Sequence, residues 1–549
     1  MTPSLSQQTH PCEDELPGHS DSVRYIGPSR ALIMLKHQKI SVFRGERRPK
    51  VNVDSSPCGR GLLDKKVKSR SNLNSLTIRF DSVCGDKMEE VLKEVLKEIK
   101  PEEEEQKNLK KTSEKLVEKA KEVSSDFEIS VEPKLVGSAA RGTWLSGERD
   151  IDLFLMFPKD APQEKLEKIG LEIGKKVSEG KAREQYAEHP YVNTNIDGFD
   201  VDIVPCYDID DPTNLRSSVD RSPHHQEYIK GWLTPERAEQ VLLLKKFLKG
   251  IGAYGAELKV HGFSGYLCEL LITHFGPFQE LIKSVSEWGP NKVINLESKR
   301  DQEELQDLFP NQPLIFVDPV DPGRNVAASV SKENYATFIR AAQDFMREPK
   351  KEFFFPNKPP TSSQELEDLI DSRGTEIFMI SLDIPFDLVL DIVYPQLRKT
   401  KKTLIKRLEE ADFRVLRSGI WAEENKALIL LELKVPKLPT VKKHIGPPLG
   451  IDARPFIQKY INSEEALAGP FVNEDGRLVF ELKRDRDEAS QVLQKTLELR
   501  KGFGKHIEKS IDAEGYEIIE GKKVVAKAEE VNAEEFLGDY LSKCLPWYR

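Results

Sequence analysis

Residues 137–157 read GSAARGTWLSGERDIDLFLMF, and two aspartates, Asp150 and Asp152, stand at the entrance of its apolar end. Ile151, Leu153, Phe154, Leu155, Met156 and Phe157 have the continuous apolar character of a buried strand. Burying an unpaired carboxylate is costly, so the acids need a compensating partner or a strand that starts in solvent. Strand side chains alternate, so Asp150 and Asp152 point to one face while Ile151 and Leu153 point to the other. At about 3.3 Å per residue their Cα atoms stand roughly 6–7 Å apart. That suits two carboxylates converging on a pair of metal ions about 4 Å apart.

A third acid comes from FDVDIVPCY, residues 199–207, where Asp200 and Asp202 share a face. The pattern alone does not choose between them. All these ligands are oxygens, which selects a hard cation such as Mg2+ over zinc. Just upstream of the first two acids, Gly137 and Ser138 follow a strand-like run, EISVEPKLVG. Glycine admits close backbone approach, and serine caps a helix or offers its hydroxyl to an anion. The free N–H groups of a helix start bind phosphate, and Arg141 lies one turn beyond Ser138. Singly these signals are weak. A Gly-Ser pair is usually a turn, and Asp-x-Asp at a strand start is more often solvated. Together they describe a phosphate cradle joined through metal ions to an acidic strand end, which accounts for the buried-strand acids.

The chain has 549 residues, enough for three or four domains. It is 38% hydrophobic and 32% charged, and no apolar run approaches the roughly 20 residues of a membrane span. Six scattered cysteines without a CxxC pair argue against a disulfide framework or a zinc site and fit a reducing cytoplasm. The formal net charge is −9, so a nucleic-acid partner requires a local basic patch. Residues 1–87 are rich in Ser, Arg, Pro and Gly without sustained apolar periodicity, and are expected to be a disordered or poorly packed extension. No apolar stretch of a secretory signal is present there, and Glu13, Asp14 and Glu15 weigh against a mitochondrial-type presequence. Met88 opens a clean helical segment, MEEVLKEVLKEIK, and is a candidate for the native start.

From Met88 to about Val123 the pattern is helical, with Val91, Leu92, Val95, Leu96 and Ile99 on one face. Strands at 128–137, 150–157 and 199–207 and a helix at 162–179 then predict an α/β unit with a mixed sheet, over 88–234. Residues 235–345 read as a helical domain, beginning with PERAEQVLLLKKFLKGIG and SGYLCELLITHF. In the first of these helices Val241, Leu244 and Leu248 mark the apolar face. Residues 346–549 read strand, helix, hairpin, which predicts an α+β module of ferredoxin-like order, with FFFPNKPPTSS at 353–363 as a linker. The whole is an α+β multidomain chain.

GSAARGTWLSGERDID with DVDIVPCY resembles the nucleotidyltransferase signature of the DNA polymerase β superfamily. AEHPYV, SVDRSPHH, LLLKKFLKGIGAYGAELKVHGFSGYLCELL, VDPVDPGRNVAASVS and VYPQL narrow the resemblance to the archaeal, class I CCA-adding enzymes, the tRNA nucleotidyltransferases. It runs from about Met88 to near the C-terminus and is densest between 134 and 330. The resemblance implies a polymerase-β-like catalytic domain and template-independent addition of C, C and A to the tRNA 3′ end from CTP and ATP, with Mg2+. It implies Asp150, Asp152 and Asp202 as the metal and catalytic carboxylates, so choosing Asp202 over Asp200. It also implies Ser138, Arg141, His225, Lys245, Tyr254 and Arg324 as nucleotide contacts. Two departures are visible. The first carboxylate, which can be Glu in the family, is Asp here, and His261 stands where a more basic residue is expected.

On local pattern alone, Lys245 reads as a solvated lysine and His225 as an ordinary surface histidine. Lys399, Lys402 and Lys406 repeat along one face of the helix at 394–413, broadened by Arg398, Lys401 and Arg407. Such a run is a solvated face by default. The family resemblance makes it a candidate tRNA surface. A homodimer is a further expectation from the family; the cysteine pattern makes a cytoplasmic location the expectation, with no membrane partner. The rival readings are a poly(A) polymerase or oligonucleotide synthase of the same superfamily, and a catalytically silent RNA-binding protein.

Overall fold

The computed structural model describes residues 85–549, except 187–188, 386–387 and 424. The expectations for residues 1–84 lie outside the described residues. A helix, α1, covers 85–99, so the helical conformation begins before Met88. After α2 (Glu103–Ser124) come β1 (Glu132–Val136), α3 (Gly137–Arg141), β2 (Asp150–Pro158), α4 (Gln163–Val177), β3 (Arg183–Tyr186), β4 (Pro190–Ile196) and β5 (Phe199–Asp208). The five strands form one sheet in the order β1-β2-β5-β4-β3. β2 and β5 are parallel and the other pairs antiparallel, the mixed sheet expected from the sequence. The β3–β4 hairpin was not legible in the pattern of 183–196.

One face of this sheet carries Ile151, Leu153, Leu155, Val201 and Ile203, buried against Leu116 of α2 and Leu166 and Ile173 of α4. Alternation therefore sends Asp150, Asp152, Asp200 and Asp202 to the other face. Burying the apolar members stabilises the register by about 1.5–3 kcal/mol per large side chain. A one-residue slip would put the acids into the core.

The next elements are α5 (Arg221–Lys230), α6 (Pro235–Gly250), α7 (Gly265–Phe275), α8 (Phe278–Ser286), β6 (Lys292–Ile294), α9 (Gln302–Leu308), β7 (Leu314–Phe316) and α10 (Lys332–Arg347). Leu244, Phe247, Leu271, Phe338 and Phe345 share one core with Met88, Leu92, Val95 and Ile99 of α1. The apolar face read on α6 is too narrow: Leu242, Leu243 and Phe247 are buried as well, so the helix is apolar nearly all round. The linker reading of 353–363 fails at its start. Phe353 and Phe354 are buried in this core, and Phe353 stacks between Phe247 and Trp547 at ring separations of 5.8 and 5.3 Å.

The remaining elements are α11 (Ser363–Arg373), β8 (Glu376–Asp383), α12 (Leu390–Glu410), β9 (Val415–Glu423), β10 (Lys426–Leu433), β11 (Val441–Ile445), α13 (Arg454–Tyr460), β12 (Ala466–Val472), β13 (Leu478–Lys483), α14 (Ala489–Leu499), α15 (Lys505–Glu514), β14 (Glu517–Glu520), α16 (Lys523–Glu530) and α17 (Glu534–Ser542). The antiparallel sheet β14-β8-β10-β9 is the ferredoxin-like arrangement, with the separate sheet β11-β13-β12 inserted before α14. Ile380 and Ile429 face α12, α14 and α15, while Met379 and Leu430 face α11, α16 and α17. Among the described residues no helix is long and apolar enough to cross a membrane.

Candidate active site

The parallel pairing of β2 with β5 sets Asp150 opposite Asp200 and Asp152 opposite Asp202. Asn193 of β4 donates to both Asp200 Oδ1 (2.7 Å) and Asp202 Oδ1 (2.9 Å). Asp152 is partly buried and its carboxyl is pushed up to about 6, first by burial and then by the charges of Asp202 and Asp150. Burial also raises Asp150 and Asp202, with Glu148 and Asp200 adding to the first and Asp200 and Asp150 to the second. Asp200 itself is exposed. Asp202 is thus the acid of β5 that stands beside Asp152.

Among the described residues no three His, Cys, Asp or Glu side chains are drawn together closely enough to hold a metal ion as they stand. The donor chemistry fits one nonetheless. Burial and the neighbouring carboxylates raise the proton affinity of all three acids, and a divalent cation between them would offset that repulsion.

Gly137 has φ +78°, and a Cβ there would overlap Asp152 Oδ2. The close approach expected of the glycine is therefore to the Asp152 carboxylate of β2. Ser138 lies half-buried in the first turn of α3, whose N-cap is Val136, so the capping role considered for Ser138 is not the one it takes. Arg141 at the end of α3 is nearly buried. Its Nε donates to Glu269 Oε1 (2.8 Å) and its Nη1 to Gln226 Oε1 (2.7 Å).

Lys245 is buried, not solvated, and its Nζ donates to the Thr143 carbonyl (2.6 Å). Burial lowers its proton affinity against the fields of Glu269, Cys268 and Glu148. Its charge in turn acts on Asp150 and Asp152. A Cβ on Gly265 would lie 3.3 Å from Tyr254 Oη and 3.4 Å from Lys245 Nζ, so both polar tips converge on the start of α7. Burial raises the Tyr254 hydroxyl. Ser264 caps α7 by accepting from Leu267 N–H.

His225 is not a surface histidine. Its ring stacks on Tyr266 with centroids 3.8 Å apart, and its Nε2 lies 3.0 Å from Asp318 Oδ2. Arg324 Nη1 donates to the same oxygen at 2.7 Å. The structure therefore brings His225 and Arg324 together, and brings Ser138, Arg141, Lys245 and Tyr254 to the elements bordering the acidic strand ends. Sequence reasoning missed Asn193, Gln226, Glu269, Tyr266 and Asp318. Asp318 stood in plain view in VDPVDPGRNVAASVS, but nothing in one sequence says that its carboxylate is buried. His261 adopts φ +57° and its carbonyl accepts from Ser331 N–H and from the Asn334 side chain, so it shapes a turn.

On α12, Lys399, Lys402 and Lys406 are exposed, opposite the buried Thr400, Leu404 and Leu408. Arg398 and Lys401 do not broaden this face. Arg398 turns inward to donate to the Lys259 carbonyl (3.1 Å), and Lys401 is partly buried. Arg407 instead lines a cleft of about 520 Å3 with Lys442, Arg484, Arg486, Lys495 and Lys501, where Glu410, Asp412 and Asp485 stand among them, Glu410 paired with Arg407 and Asp412 with Arg484. These residues are far apart in sequence, which hid the cluster.

Three family models match the chain. They are a nucleotidyltransferase domain over 109–225, the second domain of tRNA nucleotidyltransferase over 239–355, and the C-terminal domain of CCA-adding enzyme over 373–521. The chain is 41% identical over 398 residues to a CCA-adding enzyme of Methanosarcina acetivorans, covering 71% of this chain and 85% of the relative. It is 40% identical over 404 residues to that of Halobacterium salinarum, covering 73% and 87%. It is 39% identical over 425 residues to that of Methanothermobacter thermautotrophicus, covering 76% and 90%.

Proposed function

The chain belongs to the CCA-adding enzymes, and from that premise we propose which of its side chains carry the reaction. It is a tRNA nucleotidyltransferase that adds C, C and A to the tRNA 3′ end from CTP and ATP. The observation that carries this is the match at about 40% identity across most of each relative's length, including the C-terminal domain model.

Asp150, Asp152 and Asp202 would hold the divalent ions, Mg2+ in our reading. When bound, the ions neutralise charge on the triphosphate and lower the pKa of the attacking 3′-hydroxyl. The hydroxyl gives up its proton, toward Asp202 and solvent in our reading, as its oxygen attacks the α-phosphorus in line, and the bond from the α-phosphorus to the bridging oxygen breaks to release pyrophosphate. Lys245 and Arg141 set positive charge beside the triphosphate, which the carboxylates alone would repel. Their positions are supported by the bonds to Thr143, Glu269 and Gln226. Ser138, His225, Tyr254 and Arg324 complete the nucleotide contacts. Burial around Lys245 and Tyr254 excludes water that would compete for the α-phosphorus.

We divide the work as catalysis in 88–234, nucleotide binding in 235–345 and tRNA binding in 346–549. The exposed lysines Lys399, Lys402 and Lys406 follow the tRNA backbone, and the neighbouring basic cleft extends that track. A cytoplasmic homodimer completes the reading, supported by the scattered cysteines for the compartment and by family likeness for the dimer.

The test supplies tRNA lacking its CCA end, Mg2+ and each nucleoside triphosphate. Addition that stops after C, C and A supports the reading. A long A tail would instead indicate a poly(A) polymerase, oligonucleotide formation without tRNA a small-oligonucleotide synthase, and no incorporation a silent binder.

A further inference from the structure

We propose that Asp318 is a positioning residue that locks His225 and Arg324 into one unit, fixing the direction of the guanidinium and the proton on the imidazole. This rests on the reading that His225 and Arg324 contact the nucleotide.

The carboxylate is fully buried, yet its four acceptor sites are all used. Oδ2 takes His225 Nε2 (3.0 Å) and Arg324 Nη1 (2.7 Å). Oδ1 takes the Tyr266 hydroxyl (3.3 Å) and Val320 N–H (3.0 Å). The donors come from α5, α7 and the loop 317–326, so one side chain gathers three segments. The loop is itself braced: Asp318 N–H donates to the Arg324 carbonyl, Arg324 N–H to the Asp321 carbonyl, and Arg221 Nε to Asp321 Oδ2 (3.0 Å).

Burial favours a neutral Asp318, but the bonds from His225 and Arg324 outweigh it and hold the carboxyl below the usual carboxylate range. It is an anion at neutral pH and only accepts. The proton in the His225 contact must therefore sit on Nε2. Burial, with Arg324 and Arg141 nearby, lowers the ring's own pKa against the pull of Asp318. The ring is then neutral, and Nδ1 is left as an acceptor. Tyr266 stacked on the ring removes its remaining freedom. An unanchored histidine and arginine would present either tautomer and many directions. Anchored on one oxygen, they present one acceptor and one donor fork in a fixed relation.

The experiment compares Asp318→Asn, Arg324→Ala, His225→Asn and the pair Asp318→Asn with Arg324→Ala in the full chain. It measures kcat and KM for CTP and ATP, with tRNA affinity and thermal melting as controls. Asp318→Asn keeps the shape but offers an amide where an anion stood. We expect kcat/KM to fall roughly 10- to 100-fold with tRNA affinity unchanged. The double variant should lose little beyond Arg324→Ala alone, because the two act as one unit. Multiplicative losses, or an Asp318→Asn enzyme equal to wild type beside an impaired Arg324→Ala enzyme, overturn the positioning role and leave the nucleotide reading standing. Unchanged kinetics in both Arg324→Ala and His225→Asn overturn the two together. The wild type supplies a readout that needs no folded Asp318 variant. With 15N-labelled histidine, and His225→Asn to identify the signal, His225 should be a neutral Nε2–H tautomer at pH 7. An Nδ1–H tautomer or an imidazolium would overturn the proposal.

Discussion

The carboxylate of Asp152 lies against the backbone of Gly137, where any side chain would overlap Oδ2. The glycine is also left-handed, which costs an alanine roughly 1–2 kcal/mol. Gly137→Ala should therefore lose about that much stability by denaturant unfolding. Its larger effect should be on nucleotide addition, since a shift of about 1 Å at a reacting centre can cost about 100-fold. Wild-type kinetics in this variant would mean that Asp152 is not held where the reaction needs it.

The crowding of Asp152 with Asp202 and Asp150 has a pH signature in the metal-free protein. A carboxyl held at about 6 in the folded chain, against 3.8 as the ordinary value, binds its proton more tightly folded than unfolded. Its contribution to stability is present at low pH and is lost as pH rises from about 4 through about 6. Asp152→Asn should thus be more stable than wild type above pH 6, by up to about 3 kcal/mol. The gap should close toward pH 4. Urea unfolding at four or five pH values checks this, and a constant gap would contradict it.

Lys245→Met tests the buried ammonium. Methionine follows the unbranched stem as far as Cε and lacks only the ammonium, and removing a buried charge relieves desolvation. The fold and tRNA affinity should survive. The kcat/KM for CTP and ATP should fall roughly 10- to 100-fold, as for loss of a charge-assisted hydrogen bond. Equal kinetics would return Lys245 to a packing role.

Changing Lys399, Lys402 and Lys406 together to Gln should weaken all tRNAs alike, because backbone contacts carry no sequence information. If each lysine neutralises one phosphate, the slope of log affinity against log salt should flatten by about 2–3. Filter binding across a salt series measures it. Unchanged slope and affinity would move the tRNA to another surface, the cleft lined by Arg484 and Lys495 being the first to test.

Strands β1, β2 and β5 and their acids were legible, β2 because period-two alternation forces Asp150 and Asp152 away from Ile151 and Leu153. Local pattern could not separate Asp200 from Asp202; in the structure they differ in depth, Asp202 being half-buried opposite Asp152 and Asp200 exposed opposite Asp150. Nor could it foresee that Lys245 is buried, because that depends on α7 and Thr143 closing over it. Asp318 was invisible for the same reason: its partners His225 and Tyr266 lie 93 and 52 residues away in sequence. Phe353 and Phe354 read as linker because Pro and Ser follow them, yet Trp547 from the far end of the chain stacks there. The strand, helix and hairpin of β8, α12, β9 and β10 were readable because they are consecutive, strongly patterned segments; β14 was not, being four residues long and separated from them by the inserted sheet β11-β13-β12.

The central claim is that Asp150, Asp152 and Asp202 together carry nucleotide transfer. Its most direct measurement is single-turnover addition to tRNA lacking CCA, with Mg2+, CTP and ATP, by wild type, Asp152→Asn and Asp202→Asn. Wild type should extend the tRNA by three nucleotides and stop. Both variants should bind tRNA with near-normal affinity and extend it not at all. Turnover close to wild type in either variant would contradict the account.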